Sequence, residues 1–125
     1  MASSLTVAKH RTNLAQLRAE TEAAIETLVA TYDELDPEDA ASDVGAGEDE
    51  GGSEGDLTRF ERDRIRARIA EERLFLEVID AAEARSHERT WRQCTRCGEP
   101  IGDARLEALP ATDLCVTCKA DRATW

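Results

Sequence analysis

Between Thr6 and Leu35 the apolar positions fall into a heptad pattern. Val7, Leu14, Thr21, Leu28 and Leu35 recur at intervals of seven, and Leu17, Ala24 and Thr31 lie three residues after the middle members. The stretch holds no Gly or Pro, so it predicts one long helix with an apolar seam interrupted by two threonines. Ile25 and Tyr32 widen the apolar face in its second half. Leu35-Asp36-Pro37 predicts the stop, because a residue before proline is biased away from the helical region. Asp36 can then cap a new helical segment, with Glu38 and Asp39 in its first turn. A second long helix is expected from Leu57 to about His87, capped by Asp56. Ile65, Ile69, Leu76 and Ile79 define one face of it, with Glu72 as a polar break. Leu57, Phe60, Leu74, Phe75 and Val78 exceed what a two-helix seam needs, so this helix is expected also to touch the N-terminal segment and the C-terminal module.

The stretch between the helices changes the picture. Val44 to Gly55 contains five of the seven glycines, which predicts a flexible loop. From Asp33 to Asp56 there are eleven acids and no Lys or Arg, while the other sixteen acids balance sixteen basic residues. The net charge of −11 therefore sits in one segment. Aromatic residues make up 4% and charged residues 34% of the 125-residue chain, which favours an elongated form with a thin seam over a thick core. The expected fold is mainly α: an antiparallel two-helix coiled-coil hairpin over residues 1–90, roughly 40–45 Å long, with its acidic tip near 36–56. A small four-cysteine module and tail follow over residues 91–125. Direct, sequence-specific nucleic-acid binding is disfavoured, since phosphate neutralisation needs a basic surface. No apolar run approaches the roughly 20 residues that span a bilayer, so no membrane association is expected.

All four cysteines lie in two C-x2-C pairs, Cys94/Cys97 and Cys115/Cys118, separated by seventeen residues. That spacing reads as one structural Zn²⁺ held by four thiolates, with no open position for a reactive water. Gly98, directly after the second cysteine, suits the positive φ of a knuckle turn. Two disulfides would need an oxidising compartment, and the Met1–Leu5 start shows no secretory pattern, so a cytoplasmic location and metal are expected. A redox dithiol is the competing reading of Cys94 and Cys97. His10 and His87 read as lone surface histidines, and Trp91 and Trp125 as candidates to pack the zinc base.

The residues around the cysteines carry more than spacing. Cys94-x-x-Cys97-Gly98-Glu99-Pro100-Ile101-Gly102, then Arg105-Leu106-Glu107-Ala108, Pro110, and Asp113-Leu114-Cys115-x-x-Cys118-Lys119 resemble the TraR/DksA family of bacterial RNA polymerase regulators. In that family the coiled coil enters the polymerase secondary channel behind an Asp-Pro-x-Asp-x-Ala tip. Asp36-Pro37-Glu38-Asp39-Ala40-Ala41 is similar to it, so the resemblance implies tip roles for Asp36, Asp39 and Ala41. It also allows partner contacts for Arg105 and Lys119, although Arg105 reads first as binding carbonyls or a carboxylate inside the module, ahead of a polymerase contact. Two departures stand out: the acidic Gly-rich segment is longer than the common tip, and only Lys119 to Trp125 follows the last cysteine. Basic positions that hold guanosine tetraphosphate in the family align with Glu71, Val78 and Leu109, leaving Lys119 alone, so alarmone binding is expected to be weak or absent.

The functional expectation is a non-enzymatic transcription regulator that binds RNA polymerase and places its acidic tip in the secondary channel to modulate initiation. The alternative is a zinc-ribbon adaptor whose acidic tip binds a different basic protein. A thiol oxidoreductase using Cys94 and Cys97 is a third reading, and stimulation of transcript cleavage through Mg²⁺ recruited by the tip acids a weaker fourth.

Overall fold

The computed structural model describes residues 4–35 and 37–123, with side chains for 4–35 and 57–121. Helix α1 runs Val7–Glu34, α2 Pro37–Arg85, α3 Asp103–Ala108 and α4 Val116–Ala123. An antiparallel bridge joins Gln93 and Pro100, and no longer strand occurs among the described residues. The mainly helical class, two long packed helices and a terminal cysteine module agree with the sequence reading. None of the helices is long and apolar enough, over the described residues, to cross a membrane.

Contacts group the chain into two compact units. The first joins Met1–Glu20 to Leu76–Trp125. Within it the start of α1 lies antiparallel to the end of α2: Arg11 donates to the Ser86 hydroxyl and carbonyl at 3.1 and 2.9 Å, and Arg18 reaches both Asp80 and Glu83. Leu14, Ile79, Ala82 and Ala111 form one buried cluster, flanked by Leu17 and Leu76. A second cluster, Leu5, Cys94, Ile101, Leu106, Leu114 and Cys118, lies around the cysteines with Trp91 against it.

The second unit is Thr21–Phe75. Thr21 and Ile69 are its buried seam residues, while Ala24, Ile25, Leu28, Tyr32, Leu35, Ile65 and Glu72 are half-buried. Thr31 is exposed and turns its hydroxyl back to the Thr27 carbonyl, so only the first threonine interruption occupies the seam. Helix α1 has no basic residue in its last turn to meet its unpaired carbonyls. Arg62 of α2 supplies the charge instead, donating to the carbonyls of Tyr32 (2.8 Å) and Leu35 while its guanidinium lies 3.8 Å from the centre of the Tyr32 ring. Arg66 donates to the Tyr32 hydroxyl at 2.7 Å.

Three expectations are corrected. Helix α2 begins at Pro37, twenty residues before Leu57, and the expected loop from Val44 to Gly55 is helical backbone. Each helical glycine costs about 1 kcal/mol relative to alanine, yet breaking the helix would require a second nucleus, itself worth several kcal/mol, together with a new pair of unsatisfied ends. With Pro37 at the start and a strong helix former after Leu57, continuity competes on equal terms. Secondly, helix α2 meets the C-terminal module through Ile79 and Ala82, which pack with Ala111, whereas the surplus residues Leu57, Phe60, Leu74, Phe75 and Val78 are exposed. Finally, His10 is buried at 3% exposure and stacks on Trp91, ring centres 4.6 Å apart.

Candidate metal centre

The first cysteine pair sits on a tight turn. Gly98 N–H donates to the Cys94 carbonyl at 2.9 Å and Cys94 N–H to the Glu99 carbonyl at 2.8 Å. That closure needs Gly98 at φ 81°, in the left-handed region that favours glycine. A Cβ there would meet nothing within 4 Å, so the requirement is conformational, not steric crowding by neighbours. Gly102, at φ 101°, likewise turns the chain into α3. The second pair straddles the start of α4: Cys115 precedes it, Cys118 lies in its first turn, and Lys119 N–H donates to the Cys115 carbonyl. Thr95 N–H donates to the Asp113 carbonyl at 2.9 Å, joining the two loops.

These turns bring the four Sγ atoms within 4.8 Å of one another. Cys97 and Cys115 sulfurs are 3.7 Å apart. A tetrahedral site with Zn–S near ~2.3 Å has an S···S edge of about 3.8 Å, so the cluster fits the ion in both donor type and size. Cys94 and Cys118 are buried, Cys115 half-buried and Cys97 exposed. Their acidities diverge because four thiols share one small volume. Burial, then the Cys94, Cys115 and Cys97 thiols, push Cys118 up to about 12. Burial opposes ionisation of Cys94 too, but the backbone N–H groups of Cys115, Cys97 and Arg96 outweigh it and bring Cys94 down to about 6. A divalent cation bound by all four relieves this mutual repulsion. The donors are those of one structural Zn²⁺, which would hold the two loops together.

Around the cluster, polar ties fix the base. Arg92 donates to Asp103 at 2.7 Å and to the Leu5 carbonyl, and Leu5 N–H donates to the same Asp103 carboxylate at 2.8 Å. The segment before α1 is thus fastened to α3, a link between residues 98 apart that no local pattern signals. Arg105 donates to the Leu114 carbonyl at 2.9 Å, on the internal side of its two sequence readings. Lys119 is exposed on α4. Trp91 packs against the cysteine cluster as expected, whereas Trp125 lies outside the described residues. His87 is exposed, 3.0 Å from an Arg11 nitrogen. Of the tip residues, Asp36 lies outside the described residues; Asp39 and Ala41 fall in the first turns of α2, and their side chains are likewise outside.

Comparison with known proteins matches residues 88–122 to the prokaryotic dksA/traR C4-type zinc finger. A relative from Haemophilus influenzae, the RNA polymerase-binding transcription factor DksA, is 42% identical over 48 residues, which are 38% of this chain and 33% of that protein. The chain therefore spans about a third of the length of this curated relative. No solved structure matches. The two matches bear out the family resemblance and, with the sulfur geometry, the zinc assignment.

Proposed function

We propose that this chain, a TraR/DksA family member by its zinc finger, is a regulator that binds RNA polymerase and inserts its acidic tip into the secondary channel to modulate initiation. The observation that carries the reading is the match over residues 88–122 superposed on a tetrahedral-sized thiol cluster. In this reading residues 1–90 are the hairpin, its tip lies near 36–56, and residues 91–125 are the zinc module and tail. Asp36 and Asp39 present carboxylates to basic groups or Mg²⁺ in the channel, and Ala41 allows close approach. Lys119, exposed on α4, contacts the polymerase surface; Arg105, committed to Leu114, contributes by holding the module's shape and at most secondarily by contact.

The regulator performs no covalent chemistry of its own and acts in the cytoplasm, where thiolates stay reduced for zinc. Guanosine tetraphosphate binding is weak or absent, because a polyanion needs several converging cations, and Leu109 is exposed at a position where the family places a basic residue. A titration showing tight, saturable alarmone uptake would contradict this. The main test is promoter transcription with purified polymerase, comparing wild type with Asp39→Asn. Wild type alters open-complex stability or transcript yield and the variant loses that effect while still binding; no binding and no effect by wild type refutes the reading.

The alternative is a zinc-ribbon adaptor whose acidic tip binds a different basic protein, with the zinc finger of residues 88–122 as its base. On that reading, affinity capture recovers a basic protein other than polymerase.

A further inference from the structure

Over its described side chains helix α2 carries two heptad stripes, of which one is covered. Arg62, Ile65, Ile69 and Glu72 are buried or half-buried. Leu57, Phe60, Arg64, Ala67, Glu71 and Leu74 repeat the same three-four spacing two residues out of phase, roughly 200° round the helix, and all are exposed. Leu57, Phe60 and Leu74 are 65%, 62% and 62% exposed, and Phe75 flanks the stripe. Large apolar groups at both ends of a heptad stripe, on the solvent side of a charged helix, suit the seam of a coiled coil.

The charges on the stripe say which partner fits. A second copy of α2 laid antiparallel sets Leu57 opposite Leu74 of the second copy and Arg64 opposite its Ala67. Phe60 then packs beside the aliphatic stem of the other copy's Glu71, and Arg64 comes within one turn of that carboxylate. At the flank, Glu61 lies near Arg68 of the second copy, and symmetry supplies the pair twice. The parallel, in-register arrangement instead opposes Arg64 to Arg64 and Glu71 to Glu71. Both side chains of the Glu61/Arg64 pair, and Arg68 with it, are more than half exposed, so they are available for such contacts. We infer that this face of α2 is a self-association surface, pairing two copies antiparallel through Leu57, Phe60, Ala67 and Leu74. The stripe covers about five helical turns, roughly 25 Å, which places the interface at the small end of specific ones and the dimer in the concentration-dependent, micromolar range.

Sedimentation velocity of the zinc-loaded full chain from about 1 to about 200 µM provides the test. The expected result is a monomer–dimer equilibrium that Leu74→Glu and Phe60→Glu each weaken at least tenfold, with far-UV circular dichroism and zinc content unchanged. Glu61→Arg and Arg68→Glu weaken the dimer singly, and the double reversal restores it. A chain that stays monomeric throughout overturns the inference. So does a dimer indifferent to Leu74→Glu and Phe60→Glu, or one that the double reversal fails to restore. If either apolar substitution unfolds the chain, the charge reversals alone decide.

Discussion

Leu5 stands ahead of α1, yet its side chain is 2% exposed in the cluster that contains Cys94 and Cys118. Leu5→Ala removes that side chain from among Ile101, Leu106 and Leu114 and leaves the backbone ties of residue 5 to Asp103 and Arg92 in place. Such truncations at buried leucines cost about 2–5 kcal/mol, the upper values where the surroundings cannot collapse. Here two of the walls are zinc-ligand cysteines, so collapse would pull on the ligand set, and a loss near 3 kcal/mol is expected. Because zinc binding and folding of a small module are one equilibrium, the loss appears in metal affinity. At 1.4 kcal/mol per decade it corresponds to zinc binding on the order of 100-fold weaker. Competition against a chromogenic chelator at fixed pH reads this directly, beside a thermal melt. If zinc affinity stays within about threefold of wild type and the melt is unchanged, Leu5 does not support the site and the packing argument fails.

His10 should make the first unit acid-sensitive. Burial, then the charges of Arg85, Arg92 and Arg11, hold its pKa below the usual value of 6.5, so the unfolded chain binds its proton more readily. Its contribution is intact above about 6.5 and declines as pH falls below that value. His10→Phe, which keeps the stack on Trp91, should flatten the pH dependence of the melting temperature between about pH 5 and 7; an identical slope in both proteins would contradict it. Arg62→Ala should destabilise the second unit by about 1–2 kcal/mol through lost carbonyl bonds and the cation–π contact, read in a denaturant melt, with Arg62→Lys recovering only part. Chelation should release one zinc per chain and expose four thiols to a disulfide reagent; fewer thiols would mean a different pairing of the cysteines.

The cysteine site was legible because its information is local: two turns, a glycine at positive φ and a fixed spacing. The seam of α1 was legible for the same reason, since Leu14 and Thr21 mark one face by period alone. What failed needed long-range knowledge. Leu5 carries no pattern of its own and is buried by residues near 100. His10 lies between Lys9 and Arg11 in sequence, and its stack on Trp91 is a long-range contact that no local pattern signals. On α2 the apolar residues exceed one seam, but period cannot say whether a second face is covered, and Leu57, Phe60 and Leu74 are not. The glycine cluster between Val44 and Gly55 predicts a loop by propensity, whereas helix continuity is cooperative.

The central claim is that the zinc finger is the base of a polymerase-binding lever, and a competition experiment tests it most directly. Labelled, zinc-loaded chain is titrated onto purified RNA polymerase, then challenged with a known secondary-channel factor. Saturable binding that the competitor displaces, with weaker binding after zinc removal, is the predicted result. Absence of binding, or binding that the competitor leaves intact, contradicts the account.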